Sequence, residues 1–255
     1  MLKLCKGAVV GALGGLLSGC MSVDTVRFAA NANQSATMRD GRPGLVSRKG
    51  QSVVMIGPSS RGIQSGSRPV FILGATNLSK QPVNLNVADI SATQIVDGQP
   101  GMELPVIPFE TLMSEERTRQ VVAAILVGAA AGANAYSASR SGYGSSTSTV
   151  HTPRGTAYVT TNYYSPTANA IAQSNAAAQN EAMIANHIES GRANLYALEA
   201  NVLKDNTINP GEWVGGQIHL TPPLGEIGQP KHYQIRVRVG ADTHLLDVHQ
   251  EPAKR

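Results

Sequence analysis

The side chains able to do chemistry in this chain of 255 residues are few: two cysteines, six histidines, seven tyrosines and scattered carboxylates. A zinc or other transition-metal site needs three or four ligands converging at a readable spacing. Asp247 and His249 stand two apart, so a strand puts them on one face and His244 on the other, and no third ligand falls in register. The pair is expected on a solvated edge strand. His187 and His219 are isolated. "GPSSRG" at 57–62 lacks the G-x-S-x-G spacing of a nucleophile elbow. The chain carries no Walker loop, no H-E-x-x-H and no dinucleotide fingerprint. Asp89, Asp97 and Glu103 have no spacing that pairs them. The expectation is a protein with no catalytic residues, no metal and no cofactor.

The tyrosines are distributed unevenly. Tyr143, Tyr158, Tyr163 and Tyr164 fall within "SGYGSSTSTVHTPRGTAYVTTNYYSPT" (141–167) and Tyr136 lies just before it, five of the seven in the chain. From Thr118 to Asn180 there is no acidic residue, while Arg119, Arg140 and Arg154 are present. Tyrosine mixed with Ser and Gly is a composition of binding loops, because Tyr offers a large rigid contact at low entropic cost. A low-complexity connector whose tyrosines cover their own neighbourhood accounts for it equally well. "TAYVTTNYY" also has the makings of a small β-ribbon. These five tyrosines are the candidate partner-binding residues.

Strands and helices must position them. Residues 51–109 carry strand signals: "SVVMI" and "RPVFILGATN" are rich in β-branched residues. "QPVNLNVADISATQIV" (81–96) alternates, with Val83, Leu85 and Val87 on one face. "ELPVIPF" (103–109) is extended, because its prolines forbid helix. Strand signals return over 206–255, where Tyr233, Ile235, Val237 and Val239 alternate with Gln234, Arg236 and Arg238. Gly240-Ala241-Asp242 supplies a turn into the last strand. Between the two sets, 110–205 reads as two helices. The first runs from Glu110 to about Ser139, with Glu115 and Glu116 near its positive end. The second runs from Thr167 to Lys204, with Ile184, Ile188, Leu195, Leu198 and Val202 as a helical stripe. Gly128 and Gly132 form a small-xxx-small pattern, which suits either a tightly packed helix pair or a membrane-inserting helix. The fold class expected is α+β: an antiparallel β-sandwich with an inserted antiparallel helical hairpin and a Tyr/Ser/Gly-rich tip.

Residues 1–19 have the three parts of an export signal: Lys3 and Lys6, a short apolar run from Ala8 to Leu17, then small residues before Cys20. That run is half the roughly 20 residues a span requires. Leu17-Ser18-Gly19-Cys20 resembles the lipobox of bacterial lipoproteins. The resemblance implies cleavage before Cys20, a diacylglycerol on its thiol and usually an acyl chain on the new amino group. Several acyl chains on one residue would hold the protein in a membrane far more firmly than the marginal grip of one chain. With Met21 rather than aspartate after the cysteine, the resemblance implies an outer-membrane destination. Residues 20–50, polar and aperiodic, are expected to be a flexible tether with at most a short strand near 23–28; about 30 coil residues reach roughly 30 Å. The formal charge of +4 falls to about +2 without Lys3 and Lys6, too little for a polyanion-binding field, so nucleic acid is not an expected partner.

Phe109 through Arg119 leading into the alanine-rich helix, with "LKDNTINPGEWVGGQIHL" (203–220), is similar to uncharacterised bacterial lipoproteins in which an Ig-like sandwich carries a helical insertion. The combined expectation is an acyl-anchored envelope protein whose insertion docks on another envelope protein or on further copies of the chain. The alternative is a membrane-active protein whose Gly/Ala helix lines a pore.

Overall fold

The computed structural model describes residues 23–153 and 155–253. The expected export signal over residues 1–19 and the expected lipidation site Cys20 lie outside the described residues. The chain divides into two compact units, one formed by Met1–Pro108 with Asn201–Arg255 and the other by Phe109–Ala200. The fold is α+β, with antiparallel sheets and two long helices.

The first unit holds β1 (Val23–Ala29), β2 (Gln34–Arg39), β3 (Arg42–Arg48), β4 (Ser52–Pro58), β5 (Ile63–Gln64), β6 (Val70–Asn77), β7 (Val83–Leu85), β8 (Ile90–Val96) and β9 (Gln99–Pro105). After the second unit the chain returns as β12 (Asn206–Ile208), β13 (Trp213–His219), β14 (Lys231–Val239) and β15 (Asp242–Pro252). One sheet has the order β5-β1-β15-β14-β8-β9, a second has β13-β6-β4-β3-β2, and β12 pairs with β7. Side chains of both large sheets share one core that includes Val26, Leu45, Ile56, Phe71, Tyr233 and Val248. The alternation of β14 is the cause of its place there: Tyr233, Ile235, Val237 and Val239 are buried while Arg236 and Arg238 face out.

Three expectations need correction. Residues 20–50 are not a tether over their described part: 23–48 contain three strands. β1 pairs with β15 from Asp24↔Pro252 to Ala29↔Asp247, and Asp24 and Val26 are buried. β2 and β3 are joined by Asp40-Gly41, both at positive φ (51° and 71°), the two-residue turn that such a dipeptide favours. The segment looks polar because β2 ends its sheet and exposes all but half-buried Gln34. The second correction follows: β15 is not an edge strand, since β1 covers one side and β14 the other. Third, the alternating run 81–96 is not continuous. It breaks after Leu85 into a 3₁₀ turn over Val87–Asp89, where the Asp205 carboxylate accepts from the Val87 amide at 2.7 Å, and resumes as β8.

The second unit is α1 (Phe109–Arg140), β10 (Tyr143–Thr152), β11 (Gly155–Tyr164) and α2 (Pro166–Asn201). Alanine-rich stretches favour both helices. Glu110 in the first turn and Arg140 in the last suit the dipole of α1. α2 begins with Pro166, whose missing N–H costs nothing at a first helical position, and Ser165 Oγ accepts from the Ala168 amide at 3.3 Å.

Candidate interaction surface

The helix pair is built around small and polar residues. On α1 the buried or half-buried positions Glu116, Gln120, Ala123, Val127, Ala131 and Asn134 recur at intervals of four and three, and on α2 so do Ala176, Asn180, Met183, His187, Gly191 and Leu195. The contacts climb α1 as they descend α2. Gln120 Nε2 donates to the Gly191 carbonyl at 2.8 Å, Asn180 Nδ2 to the Ala131 carbonyl at 3.0 Å, and Asn134 Nδ2 to Asn180 Oδ1 at 3.1 Å. Close approach is fixed at Gly191, where a Cβ would lie 2.8 Å from the Gln120 amide carbon. Buried Glu116 completes the seam, accepting from Arg119 Nε at 2.8 Å and Gln120 Nε2 at 3.0 Å. Burial pushes its pKa up, but hydrogen bonds from Gln120, Arg119 and Asn194 and the charge of Arg119 outweigh that, and the net shift is downward.

The large apolar side chains point the other way. Val121, Val122, Ile125 and Leu126 are 62%, 53%, 66% and 66% exposed, and Ile184 and Ile188 on α2 are exposed too. The stripe expected from Ile184 to Val202 is therefore displaced: its first two members lie outside the seam, which Met183 and His187 enter instead. Gly128 and Gly132 do not pack the helices together, because a Cβ on either would meet open space. At about 100° per residue they sit on the outward face with Val121 and Ile125. Two shallow grooves flank the pair. One is lined by Glu115, Thr118, Val122 and Leu126, the other by Arg117, Val121, Ile188 and Arg192.

Between the helices, β10 and β11 form a regular antiparallel ribbon with ten paired positions, from Tyr143↔Tyr164 to Thr152↔Gly155. All of its described positions are exposed except half-buried Gly144. The five expected tyrosines are all exposed. Tyr143 and Tyr164 meet at 4.9 Å between ring centroids, at the end of the ribbon nearest the helices. Tyr163 lies on the opposite face beside Gly144, which leaves room for its ring. Tyr158 stands apart on β11, and Tyr136 stays on α1, where its hydroxyl accepts from Arg140 at 2.9 Å. The tyrosines thus do not converge on one patch.

The first unit holds two buried polar clusters that sequence spacing does not reveal. Asp24 accepts from Ser65 and, at 2.7 Å, from Gln250 Nε2, whose Oε1 accepts from Tyr233 at 3.3 Å. Burial, and secondarily Asp24, push the Tyr233 phenol far above its ordinary range, so it stays a neutral donor. His244 lies between Ser52 and Ser47, each hydroxyl 2.9 Å from a ring nitrogen, and burial lowers its pKa. The Asp242 carboxylate is engaged by Ser52 Oγ and the Gln51 amide, each at 2.8 Å. That order differs from a hydrolytic triad, in which the carboxylate orients the imidazole. Asp247 and His249 do share an outward face of β15, with His244 inward. The residue that spacing misses is His232, brought by β14 into a stack on His249 at 4.3 Å and 9°. Among the described residues no group of three His, Cys, Asp or Glu side chains is arranged to hold a metal ion. No protein-family model, curated protein or solved structure matches the chain.

Proposed function

We propose that the protein is a bacterial cell-envelope lipoprotein with a structural rather than catalytic role. In this reading it is anchored in the outer membrane through an acylated Cys20, and an Ig-like sandwich carries an inserted antiparallel helical hairpin that joins copies of the chain. The observation that carries it is the inverted helix pair. A helix pair complete in itself buries its branched aliphatic residues, whereas this one buries Glu116, half-buries Gln120 and Asn180, and exposes Val121, Val122, Ile125 and Leu126. A second copy is the occupant that fits. The groove at Val122 and Leu126 is lined by both Glu115 and Arg119, and the groove at Val121 and Ile188 by Arg117 and Arg192. Two apolar flanks that differ in shape and charge, one mixed and one basic, favour head-to-tail association, which closes into a ring when the rotation permits.

The other reading is insertion of α1 into a bilayer. α1 is long and apolar enough to cross one, with a window of mean hydropathy 1.6. Its hydrogen bonds to α2 weigh against this, because Glu181, Glu189 and Arg192 of α2 would have to enter as well.

Sedimentation of the full-length acylated protein in mild detergent tests self-assembly. The expected result is a defined oligomer that Leu126→Asp returns to monomer with its helical circular dichroism intact. A monomeric wild type would overturn it. For the anchor, Cys20→Ser is expected to abolish fatty-acid labelling and leave the precursor uncut; unchanged labelling removes the lipoprotein reading.

A further inference from the structure

We propose that the β10–β11 ribbon is the membrane-crossing part of this protein, and that ribbons from several copies pair edge to edge into one closed β-barrel. The inference rests on the self-assembly reading above and names what the assembly builds.

The ribbon is poorly suited to water as a single copy. A lone two-stranded hairpin is marginal there, and this one has no third strand among the described residues and two unpaired edges. In a bilayer an open edge is costlier still, so spanning strands must close on themselves. One chain supplies two strands to this sheet, and the smallest outer-membrane barrels have about eight, so closure takes roughly four copies or more. The occupant of each edge is therefore a second copy: β10 of one chain beside β11 of the next, antiparallel, repeated head to tail around a ring.

Length, charge and patterning fit a crossing. Each strand has ten residues. At about 3.4 Å per residue and a tilt near 40°, such a strand covers roughly 26 Å, close to the ~25 Å apolar band of these barrels. Neither strand contains Asp, Glu, Lys or Arg. The register sorts the side chains into two faces. One carries Val150 opposite Ala157, Val159 opposite Ser148 and Tyr163 opposite Gly144, together with Ser146, Thr161 and Thr152; the other carries Asn162 opposite Ser145, Thr147 opposite Thr160 and His151 opposite Thr156, together with Tyr143, Tyr158 and Tyr164. The first face is the one for lipid and the second for a water-filled lumen. Tyr163 stands on the lipid face at the helix end of the ribbon, where a barrel places its aromatic girdle, while Tyr143 and Tyr164 face the lumen at that end. This also accounts for uncharged strands so rich in Ser, Thr and Tyr, which neither a soluble core nor a charged docking loop requires.

The test is conductance across planar bilayers by the full-length acylated oligomer, beside its sedimentation in detergent. Wild type is expected to give discrete steps. Thr160→Asp, on the lumen face, should keep the steps and raise cation over anion permeability several-fold. Val159→Asp, on the lipid face of the adjacent position, should cut channel insertion at least tenfold, whereas the neutral, similarly shaped Val159→Thr should not. An oligomer of unchanged mass that never conducts overturns the barrel and leaves self-assembly standing; a monomer overturns both. Equal tolerance of aspartate at 159 and 160, or unchanged selectivity in Thr160→Asp, also overturns it.

Discussion

The two units of this chain use opposite rules for placing apolar residues. In the first, Phe71, Leu73, Tyr233 and Ile235 are sealed in a core and charged residues such as Arg236 and Arg238 face water. In the second, Val121, Val122, Ile125, Leu126, Ile184 and Ile188 face outward, while a carboxylate, amides and small residues make up much of the seam between the helices. A unit of the first kind buries its apolar side chains within its own core. On the proposed reading, a unit of the second kind finds its packing partner in another copy of the chain. The contrast makes removal of a large apolar residue mean different things in the two places.

The largest effect is therefore expected in the first unit. Phe71 is fully buried and meets Phe28 and Tyr233 edge to face, at 6.4 and 6.2 Å between centroids. Phe71→Ala should destabilise that unit by about 3–5 kcal/mol in denaturant titration. Leu126→Ala, made in the monomeric state, should change the stability of the second unit by less than about 0.5 kcal/mol. Comparable losses at both positions would mean that Leu126 belongs to a core of its own chain, and the contrast would fail.

Next come the glycines. A leucine at Gly191 collides with Gln120 across the seam and should destabilise the helix pair by about 1–3 kcal/mol, the usual cost of overpacking. Gly128 meets nothing within 4 Å, so Gly128→Ala should instead raise helix stability, by up to about 1 kcal/mol. Thermal melts at 222 nm distinguish these signs. A loss at Gly128 in the monomer would restore it to the helix seam.

Much of the first unit is legible in the sequence because its signals are hydrophobic. The alternation of Tyr233 to Val239 and the turn at Gly240 correspond to β14 and its hairpin with β15. The misread tether has a legible cue of its own. Asp40-Gly41 and Asp97-Gly98 are both aspartate–glycine turns at positive φ, and they join β2 to β3 and β8 to β9. β2 and the first half of β9 pass for coil because both strands end their sheets and expose most positions. The interaction surface is less legible. Apolar periodicity finds a helix by assuming that its aliphatic side faces inward, and α1 violates that assumption. Its seam of Gln120, Ala123, Ala131 and Asn134 carries almost no hydrophobic contrast. The ribbon is obscured differently, since its Ser, Thr and Gly also compose disordered connectors. What distinguishes it is the ten-position register from Tyr143 to Tyr164, a property of pairing rather than of composition.

A smaller effect separates the units by pH. Burial lowers the pKa values of His244, His219 and His232 in the first unit. Arg68 adds to this for His219 and His249 for His232, while Asp247 opposes it for His232 and Asp242 for His244. These histidines bind protons less readily folded than unfolded, so their contribution is fully present above the ordinary value of 6.5 and falls as the pH drops below it. Glu116, in the second unit, is shifted below its ordinary 4.5, so what it contributes is kept above 4.5 and lost only as the pH falls further. Between these values the first unit should weaken while the second does not. The single tryptophan, Trp213, lies on β13 and reports the first unit, while ellipticity at 222 nm reports mainly the two helices. Denaturation midpoints at pH 7.5 and 5 should therefore shift for fluorescence and hold for ellipticity. His244→Gln should flatten the fluorescence shift by removing the most deeply buried imidazole. Glu116→Gln should leave both midpoints at pH 5 unchanged and reduce the loss of ellipticity near pH 3. Joint movement of the two signals between pH 7.5 and 5 would show that the units do not answer to separate rules.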